Sequence, residues 1–156
     1  MGYQITEACK GCTLCAQKCP VGAITGNKKE MHFISERLCV ECGVCGRYCP
    51  SASILDGLGQ PCVRILPKNM PKATLFDPDN CNGCEYCVNI CPFGCLSIQA
   101  DPSASGAIGI CLVDPKDCVG CGFCQQVCHK EAIRVMAPTE LAESRGELVA
   151  TATARS

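Results

Sequence analysis

Repeated cysteines constrain this chain more than any other feature of its sequence. One spacing, C-x2-C-x2-C-x3-C, occurs four times. The runs are Cys9-Cys12-Cys15-Cys19 (run 1), Cys39-Cys42-Cys45-Cys49 (run 2), Cys81-Cys84-Cys87-Cys91 (run 3) and Cys118-Cys121-Cys124-Cys128 (run 4). Four runs of four use sixteen of the 19 cysteines. Any fold of this chain must therefore accommodate sixteen regularly spaced thiols.

The remaining composition supports only a small apolar core. In 156 residues there is no Trp, and there are only 3 Tyr and 4 Phe. A chain of this kind needs disulfides, metal or a partner to stabilise it. The odd number of cysteines and an N-terminus without a basic or apolar signal segment argue against disulfides. No apolar run is long enough for a membrane span, so the sequence predicts a cytoplasmic chain whose cysteines bind metal, without membrane insertion.

The spacing itself is typical of [4Fe-4S] sites, because a tight C-x2-C-x2-C loop can supply three corners of a cubane while its backbone N–H groups point at the sulfurs. Glycine helps such a loop turn inward. Five glycines lie between the first three cysteines of a run: Gly11, Gly43, Gly83, Gly120 and Gly122. Proline follows the fourth Cys in three runs, and His129 replaces it in run 4. A cysteine-rich zinc-binding module is the remote alternative, since zinc sites also use C-x2-C pairs.

The flanks of the runs predict short strands. A small residue and then an aliphatic one follow each run, as Ala23-Ile24, Ser53-Ile54, Cys95-Leu96 and Ala132-Ile133. Further strands are expected at 31–34, 74–76, 111–113 and, after Cys62, at 63–66. Turns are expected at 26–29 and 101–106, from their Gly, Asn, Asp and Ser content. Each unit is thus predicted to read strand, cysteine loop, short helix, strand, which is an α+β arrangement.

At this level of detail the chain resembles a known family. Tyr3–Cys9 and Cys19–Ile24 are similar to the opening of clostridial-type two-cluster ferredoxins. Residues 1–56 resemble one such domain, and residues 72–137 a second with an insert at 94–113; 57–71 is then a linker and 138–156 a C-terminal tail. The resemblance implies tandem ferredoxin-type (βαβ)2 domains organised around four [4Fe-4S] clusters. The whole chain resembles polyferredoxin subunits of larger redox enzymes, of the tungsten aldehyde oxidoreductase, formate dehydrogenase or hydrogenase type.

In this family the fourth Cys of a run ligates the other cluster of a pair. Run 1 can pair with run 2 and run 3 with run 4, or a nested scheme can pair run 1 with run 4. The longest gap separates Cys49 from Cys81 and holds four prolines beyond Pro50, as a linker does, so local pairing is favoured. The expected ligand sets are Cys9, Cys12, Cys15 and Cys49 (cluster 1); Cys39, Cys42, Cys45 and Cys19 (cluster 2); Cys81, Cys84, Cys87 and Cys128 (cluster 3); Cys118, Cys121, Cys124 and Cys91 (cluster 4).

Clusters held by four cysteines leave no open iron, so the sequence predicts electron transfer and not catalysis. Only two His occur, and we find no nucleophile–base pair and no phosphate loop. The formal net charge of −1 does not indicate the basic surface that binds nucleic acid. The expected partner is a larger redox enzyme of tungsten/molybdenum, flavin or hydrogenase type, or further copies of this chain. A freestanding soluble low-potential ferredoxin is the alternative.

A few residues remain outside the ligand sets. Cys62, Cys95 and Cys111 are expected to be small packing residues, with a redox thiol or a replacement ligand as the alternative. His129 is expected to be a surface residue, with a hydrogen bond that tunes a cluster potential as the alternative. In the tail, Pro138 and Thr139 are expected to open a short helix containing Leu141. Leu148 and Val149 are apolar with no core nearby, so the tail is expected to dock on a partner, with a disordered tail as the alternative.

Overall fold

Two compact units make up the structure. The computed structural model describes residues 2–100 and 109–144. Unit 1 is Met1–Leu66 and unit 2 is Pro67–Ser156. Each unit contains two copies of a strand, a cysteine loop, a five-residue helix and a second strand. The predicted α+β arrangement of repeated units is confirmed.

Unit 1 consists of β1 (Gln4–Ile5), α1 (Leu14–Lys18), β2 (Ile24–Thr25), β3 (Phe33–Ile34), α2 (Val44–Tyr48) and β4 (Ile54–Leu55). Strands β1 and β4 pair antiparallel, with Ile5 opposite Ile54. Strands β2 and β3 also pair antiparallel, with Ile24 opposite Ile34. Because the first strand pairs with the last, the two copies close around each other. The sequence predicted the other strands of unit 1 but not β1, which is two residues long.

Unit 2 repeats this plan with longer strands. Its elements are β5 (Lys72–Leu75), α3 (Tyr86–Ile90), β6 (Leu96–Gln99), β7 (Ile110–Val113), α4 (Phe123–Val127) and β8 (Ile133–Met136). Strands β5 and β8 pair antiparallel, as do β6 and β7. Single 3-10 turns at Pro67–Asn69 and Pro78–Asn80 flank β5. The predicted insert at 94–113 forms β6 and β7, while the predicted turn at 101–106 lies outside the described residues.

The four cysteine loops share one backbone conformation. The residue before each helix has positive φ, and so has the residue two places earlier. These residues are Gly11 and Thr13, Glu41 and Gly43, Gly83 and Glu85, and Gly120 and Gly122. Left-handed residues reverse the chain direction within a few bonds, which curls each loop around a central point. Gly11 needs the absence of a side chain for space as well, since a Cβ there would lie 2.4 Å from the Glu30 backbone nitrogen.

Each helix ends at the fourth Cys of its run, which adopts an extended conformation. Cys19, Cys49 and Cys91 have φ near −70° and ψ of 119°, 114° and 114°. A residue before proline avoids the helical region, which explains these three stops. Cys128 is also extended, at φ −76° and ψ 96°, although His129 follows it. Replacement of proline therefore leaves the run 4 turn in place.

Cysteines form much of the core in both units. Cys15, Cys45 and Cys49 pack with Ile24 and Ile54 in unit 1. The core of unit 2 contains Ala73, Cys87, Cys95, Leu96, Cys111, Cys118, Cys124 and Ile133. Ile54 and Ile133 begin equivalent strands and are each only 1% exposed. The aliphatic residues after the runs thus anchor the strands to a core of thiols.

The segment after β4 differs from the prediction. The expected strand at 63–66 was wrong, since only an isolated bridge between Leu55 and Pro61 forms there. The segment is held by single hydrogen bonds, from Cys62 N to the Ile54 carbonyl (2.8 Å) and from Ile65 N to the Arg47 carbonyl (2.9 Å). Cys62 also packs against Gly46, where an added Cβ would lie 2.5 Å from the Cys62 Cβ. These contacts hold the segment against unit 1, which extends to Leu66.

The described part of the tail is a short helix at 138–144, labelled α5. Pro138 occupies its first turn, where a missing N–H is tolerated. The Glu140 carboxylate accepts a hydrogen bond from Ala137 N (2.7 Å), which is half of a capping box. The predicted helix containing Leu141 is present, whereas Leu148 and Val149 lie outside the described residues.

Candidate iron-sulfur sites

Four cavities, two in each unit, are lined by cysteines from both runs of that unit. Site 1 is lined by Cys9, Cys12, Cys15 and Cys49. Site 2 is lined by Cys19, Cys39, Cys42 and Cys45. Site 3 is lined by Cys81, Cys84, Cys87 and Cys128. Site 4 is lined by Cys91, Cys118, Cys121 and Cys124, and also by Cys95, which lies outside the runs. In every case three thiols come from one loop and the fourth comes from the end of the other helix of the unit.

This sharing follows from the local geometry of each run. The curled loop places its first three cysteines around one cavity. The five-residue helix then carries the fourth Cys more than one turn onward, and the extended conformation at that residue directs it to the neighbouring loop. The cavities have similar empty volumes, counted to their mouths, of about 290, 280, 340 and 280 Å³ for sites 1 to 4.

Backbone N–H groups face the sulfurs at all four sites. Gly11 N donates to Cys9 Sγ (3.5 Å) at site 1, and Ala23 N to Cys19 Sγ (3.3 Å) at site 2. Cys111 N donates to Cys81 Sγ (3.4 Å) at site 3, and Ala73 N to Cys118 Sγ (3.3 Å) at site 4. Hydrogen bonds of this kind stabilise a sulfur that carries negative charge, as a thiolate ligand does.

His32 provides a separate test of whether a group fits site 1. Its side chain is 1% exposed and lines the cavity of that site. The Nδ1 atom lies 3.1 Å from the Glu30 carbonyl, so this nitrogen donates. Among the residues described, Nε2 finds no hydrogen-bond partner. Buried polar atoms are rarely left unpaired, and an orphan often marks an ion or other bound group. The unpartnered nitrogen therefore indicates that site 1 has room for a further polar group, and the four thiols of its lining are the residues that fit an iron-sulfur cluster.

Burial keeps several of the site thiols protonated in the absence of iron. It raises the pKa of Cys15 to about 11, and that of Cys45 and Cys124 to about 12. Since metal binds the thiolate, loading of these sites has to release protons. The pKa values of two cysteines that end a run shift in the opposite direction. Burial raises the pKa of Cys49 and of Cys91, but hydrogen bonds to each sulfur outweigh it and hold the pKa below its ordinary value.

The cysteines outside the runs lie close to the sites. Cys95 and Cys111 are 6% and 0% exposed, so both are buried as expected. The Sγ of Cys95 lies 3.4 Å from that of Cys91, and the Sγ of Cys111 lies 3.5 Å from that of Cys87. The proximity of Cys111 to the sulfur of Cys87 was not apparent from the sequence. His129 is exposed, as expected, and its ring contacts Tyr86 edge-on at 6.0 Å.

Two features are absent from the described part of the chain. In residues 2–100 and 109–144, no three side chains of His, Cys, Asp or Glu converge to hold a single metal ion; the cysteines surround cavities instead. Over the same residues, no helix has the length and apolar character needed to cross a bilayer.

Comparison with known proteins gives a consistent family. Residues 8–54 and residues 71–132 each match a sequence family described as a 4Fe-4S dicluster domain. The polyferredoxin protein MvhB of Methanothermus fervidus is 35% identical over 102 residues, covering 64% of this chain and 23% of that protein. A probable iron-sulfur protein of the Frd operon of Proteus vulgaris is 29% identical over 102 residues, covering 58% of this chain and 64% of that protein. A 7Fe ferredoxin of Hydrogenibacillus schlegelii is 36% identical over 56 residues, which are 35% of this chain and 70% of that protein.

Among solved structures, one protein of the formate dehydrogenase - heterodisulfide reductase - formylmethanofuran dehydrogenase complex of Methanospirillum hungatei aligns with a TM-score of 0.45 and 21% identity. The alignment covers 87% of this chain and 50% of that one. The chain spans only about a quarter to a third of the first curated relatives it matches, 23% of one and 36% of the next. Both halves nevertheless match the same kind of domain and repeat one fold. The chain belongs to the 4Fe-4S dicluster ferredoxins and contains two such domains in tandem.

Proposed function

We propose that the chain holds four [4Fe-4S] clusters, one at each of sites 1 to 4, with the four run cysteines that line each cavity as its ligands. The observation that carries this proposal is the repeated combination of three thiols from one loop with a fourth from the other helix of the same unit. Chance packing of free thiols would not produce this combination four times. The same observation supports local pairing of the runs over the nested scheme.

We further propose that the chain transfers electrons and is not an enzyme by itself. When bound, each cluster supplies a one-electron redox centre. The protein contributes four thiolates at each site, which leaves no open coordination position for a substrate. Backbone N–H groups at every site stabilise the negative charge on the sulfurs, and the two-unit fold holds several such centres in one chain.

The proposed partner is a larger redox enzyme, for which this chain is the electron-transfer subunit, relaying single electrons to a second redox protein. Relatives named as a polyferredoxin and as a probable iron-sulfur subunit support this role. Apolar surface supports it as well: Leu38 and Val40, on either side of Cys39, are 54% and 49% exposed. Leu58 and Val63, in the segment after β4, are 87% and 81% exposed. The tungsten, formate and hydrogenase types of enzyme share this requirement for a relay.

Cofactor content tests the first proposal. Protein purified without oxygen should contain about sixteen iron and about sixteen acid-labile sulfide per chain, from four cubanes. Each Cys→Ser variant at a proposed ligand should remove or alter the cluster at one site and leave the other clusters in place. Stoichiometric zinc without sulfide would reject the iron-sulfur assignment and support the zinc-binding alternative.

Co-purification tests the second proposal. The native protein should elute with a larger redox enzyme and should be required for turnover with that enzyme's electron acceptor. Removal of residues 138–156 should weaken the association, while iron content remains unchanged. A matched control is the exposed Ser97→Ala variant, which should bind the partner normally. A native protein that elutes as a lone monomer at cellular concentration would favour the freestanding ferredoxin.

A further inference from the structure

The residue four places after the last Cys of each run differs among the four sites. It is Ala23 after run 1, Ser53 after run 2, Cys95 after run 3 and Ala132 after run 4. All four are buried, with exposures of 1%, 1%, 6% and 1%. Ser53 Oγ lies 3.2 Å from Cys49 Sγ, and Cys95 Sγ lies at the equivalent place beside Cys91. The two alanines have no polar side-chain atom to offer. The position therefore supplies a strong donor at site 1 only.

A second hydroxyl strengthens this contact. Ser51 Oγ lies 3.5 Å from Cys49 Sγ and 3.1 Å from Ser53 Oγ, and both serines line the cavity of site 1. A ligating thiolate has no proton, so the hydroxyls must be the donors. Ser53 donates directly to Cys49. Ser51 donates either to Cys49 or to Ser53, and in the second case it polarises the bond that Ser53 makes.

The local fold fixes Ser53 in this orientation. Its carbonyl accepts hydrogen bonds from Thr6 N (2.8 Å) and from Thr6 Oγ1 (3.1 Å). Thr6 directly follows β1, whose residue Ile5 lies opposite Ile54. The backbone of Ser53 is therefore held on one side by β1, and its side chain is held on the other by the sulfur of Cys49.

We propose that Ser51 and Ser53 raise the reduction potential of site 1 by donating hydrogen bonds to the sulfur of Cys49. This inference rests on the proposed function. Reduction adds negative charge that is shared with the ligand sulfurs, so donors to a sulfur stabilise the reduced form more than the oxidised form. As a consequence, the reduction potential of site 1 is higher than it would be without the two serine hydroxyls.

Site 2 of the same unit has a different polar residue nearby. We therefore predict how far the serines shift the potential of site 1, and not which of the two sites has the higher potential. Arg47 donates to the Cys42 carbonyl (2.8 Å) and places a cation near site 2. A net hydrogen-bond contribution corresponds to about a tenfold change in an equilibrium constant. For a one-electron couple this equals about 59 mV. The indirect donor Ser51 should contribute less, about threefold, or about 28 mV.

The test is a redox titration of the anaerobic holoprotein followed by electron paramagnetic resonance. Ser53→Ala should lower one midpoint potential by an amount that corresponds to about a tenfold change in the equilibrium constant for reduction. Ser51→Ala should lower the same midpoint potential by less. The signal that moves should be the one that Cys12→Ser removes, which identifies site 1. The exposed Ser97→Ala control should move none. In the reverse direction, Ala23→Ser should raise one midpoint, that of site 2, to which Cys19 belongs.

Iron and sulfide analysis of the parent protein separates failure of the two proposals. A parent without iron-sulfur clusters overturns the proposed function and this inference with it. A Ser53→Ala protein that keeps its iron and shows unchanged midpoints overturns the inference alone. If Ser53→Ala loses iron, Ala23→Ser decides: a raised midpoint with full iron supports the inference, and an unchanged midpoint overturns it.

Discussion

Substitution of Gly11 by Ala tests how tightly the first cysteine loop packs on the turn that follows β2. Gly11 lies between Cys9 and Cys12 with φ of +64°. Its carbonyl accepts a hydrogen bond from Lys29 N (2.9 Å), which brings the loop against this turn. An added Cβ would lie 2.4 Å from the Glu30 nitrogen and 2.5 Å from the Glu30 oxygen. Both are backbone atoms, so neither can turn aside.

The magnitude has two parts that a matched variant can separate. A non-glycine residue in the left-handed region costs about 1–2 kcal/mol. Displacement of the Glu30 backbone adds an overpacking cost of about 1–3 kcal/mol. Gly22 has φ of +62° and no atom within 4 Å of an added Cβ, so Gly22→Ala carries the first cost alone. The difference between the two variants therefore isolates the clash.

Loss of visible cluster absorption in denaturant, under anaerobic conditions, measures this difference as a rate. If the loop contact forms late in folding, the clash should accelerate bleaching of Gly11→Ala over Gly22→Ala by about fivefold to about 150-fold. Iron analysis should show the loss concentrated in one cluster per chain. Equal bleaching rates and equal denaturant midpoints for the two variants would refute the close packing of the loop on Glu30.

Further predictions follow from the ligand sharing and from the thiol-rich core. Cys49→Ser should abolish or alter the cluster of site 1 while the signal of site 2 remains, because Cys49 lines site 1 although it belongs to run 2; loss of the site 2 signal alone would contradict the sharing. Cys128→Ser should affect site 3 and spare site 4 in the same way. Removal of iron by a chelator should largely unfold the chain, since buried cysteines make up much of both cores; a cooperative thermal transition in iron-free protein would contradict this.

Repetition made much of the fold predictable from the sequence. The run spacing and the small-aliphatic pair after each run located the helices and the strands that begin at Ile24, Ile54, Leu96 and Ile133. Strand β1 was missed because two residues carry no detectable period. The segment after β4 was predicted to contain a strand from its apolar residues, but it is fixed instead by contacts with Gly46 and Arg47, which are tertiary.

The cysteines that line the four sites were predictable from the sequence, but the other residues around them were not. Left-handed conformations at glycines were expected, whereas those at Thr13, Glu41 and Glu85 are imposed by the loop on residues that do not favour them. The contacts of His32 with site 1 and of Cys111 with Cys87 depend on tertiary structure and are invisible in the local sequence. Nothing in the sequence distinguishes Ser51 and Ser53 from other small residues; only the structure shows that their hydroxyls contact the sulfur of Cys49.

The central claim is that each unit holds two clusters which exchange their fourth ligand. Crystals of the anaerobic holoprotein, measured at the iron absorption edge, test it most directly through the anomalous difference map. We expect four compact iron peaks per chain, with Cys49 bonded to the peak beside Cys9, Cys12 and Cys15, and Cys128 bonded to the peak beside Cys81, Cys84 and Cys87. Single-metal peaks at the cysteine loops, or Cys128 bonded to the cluster of the first run, would contradict the account.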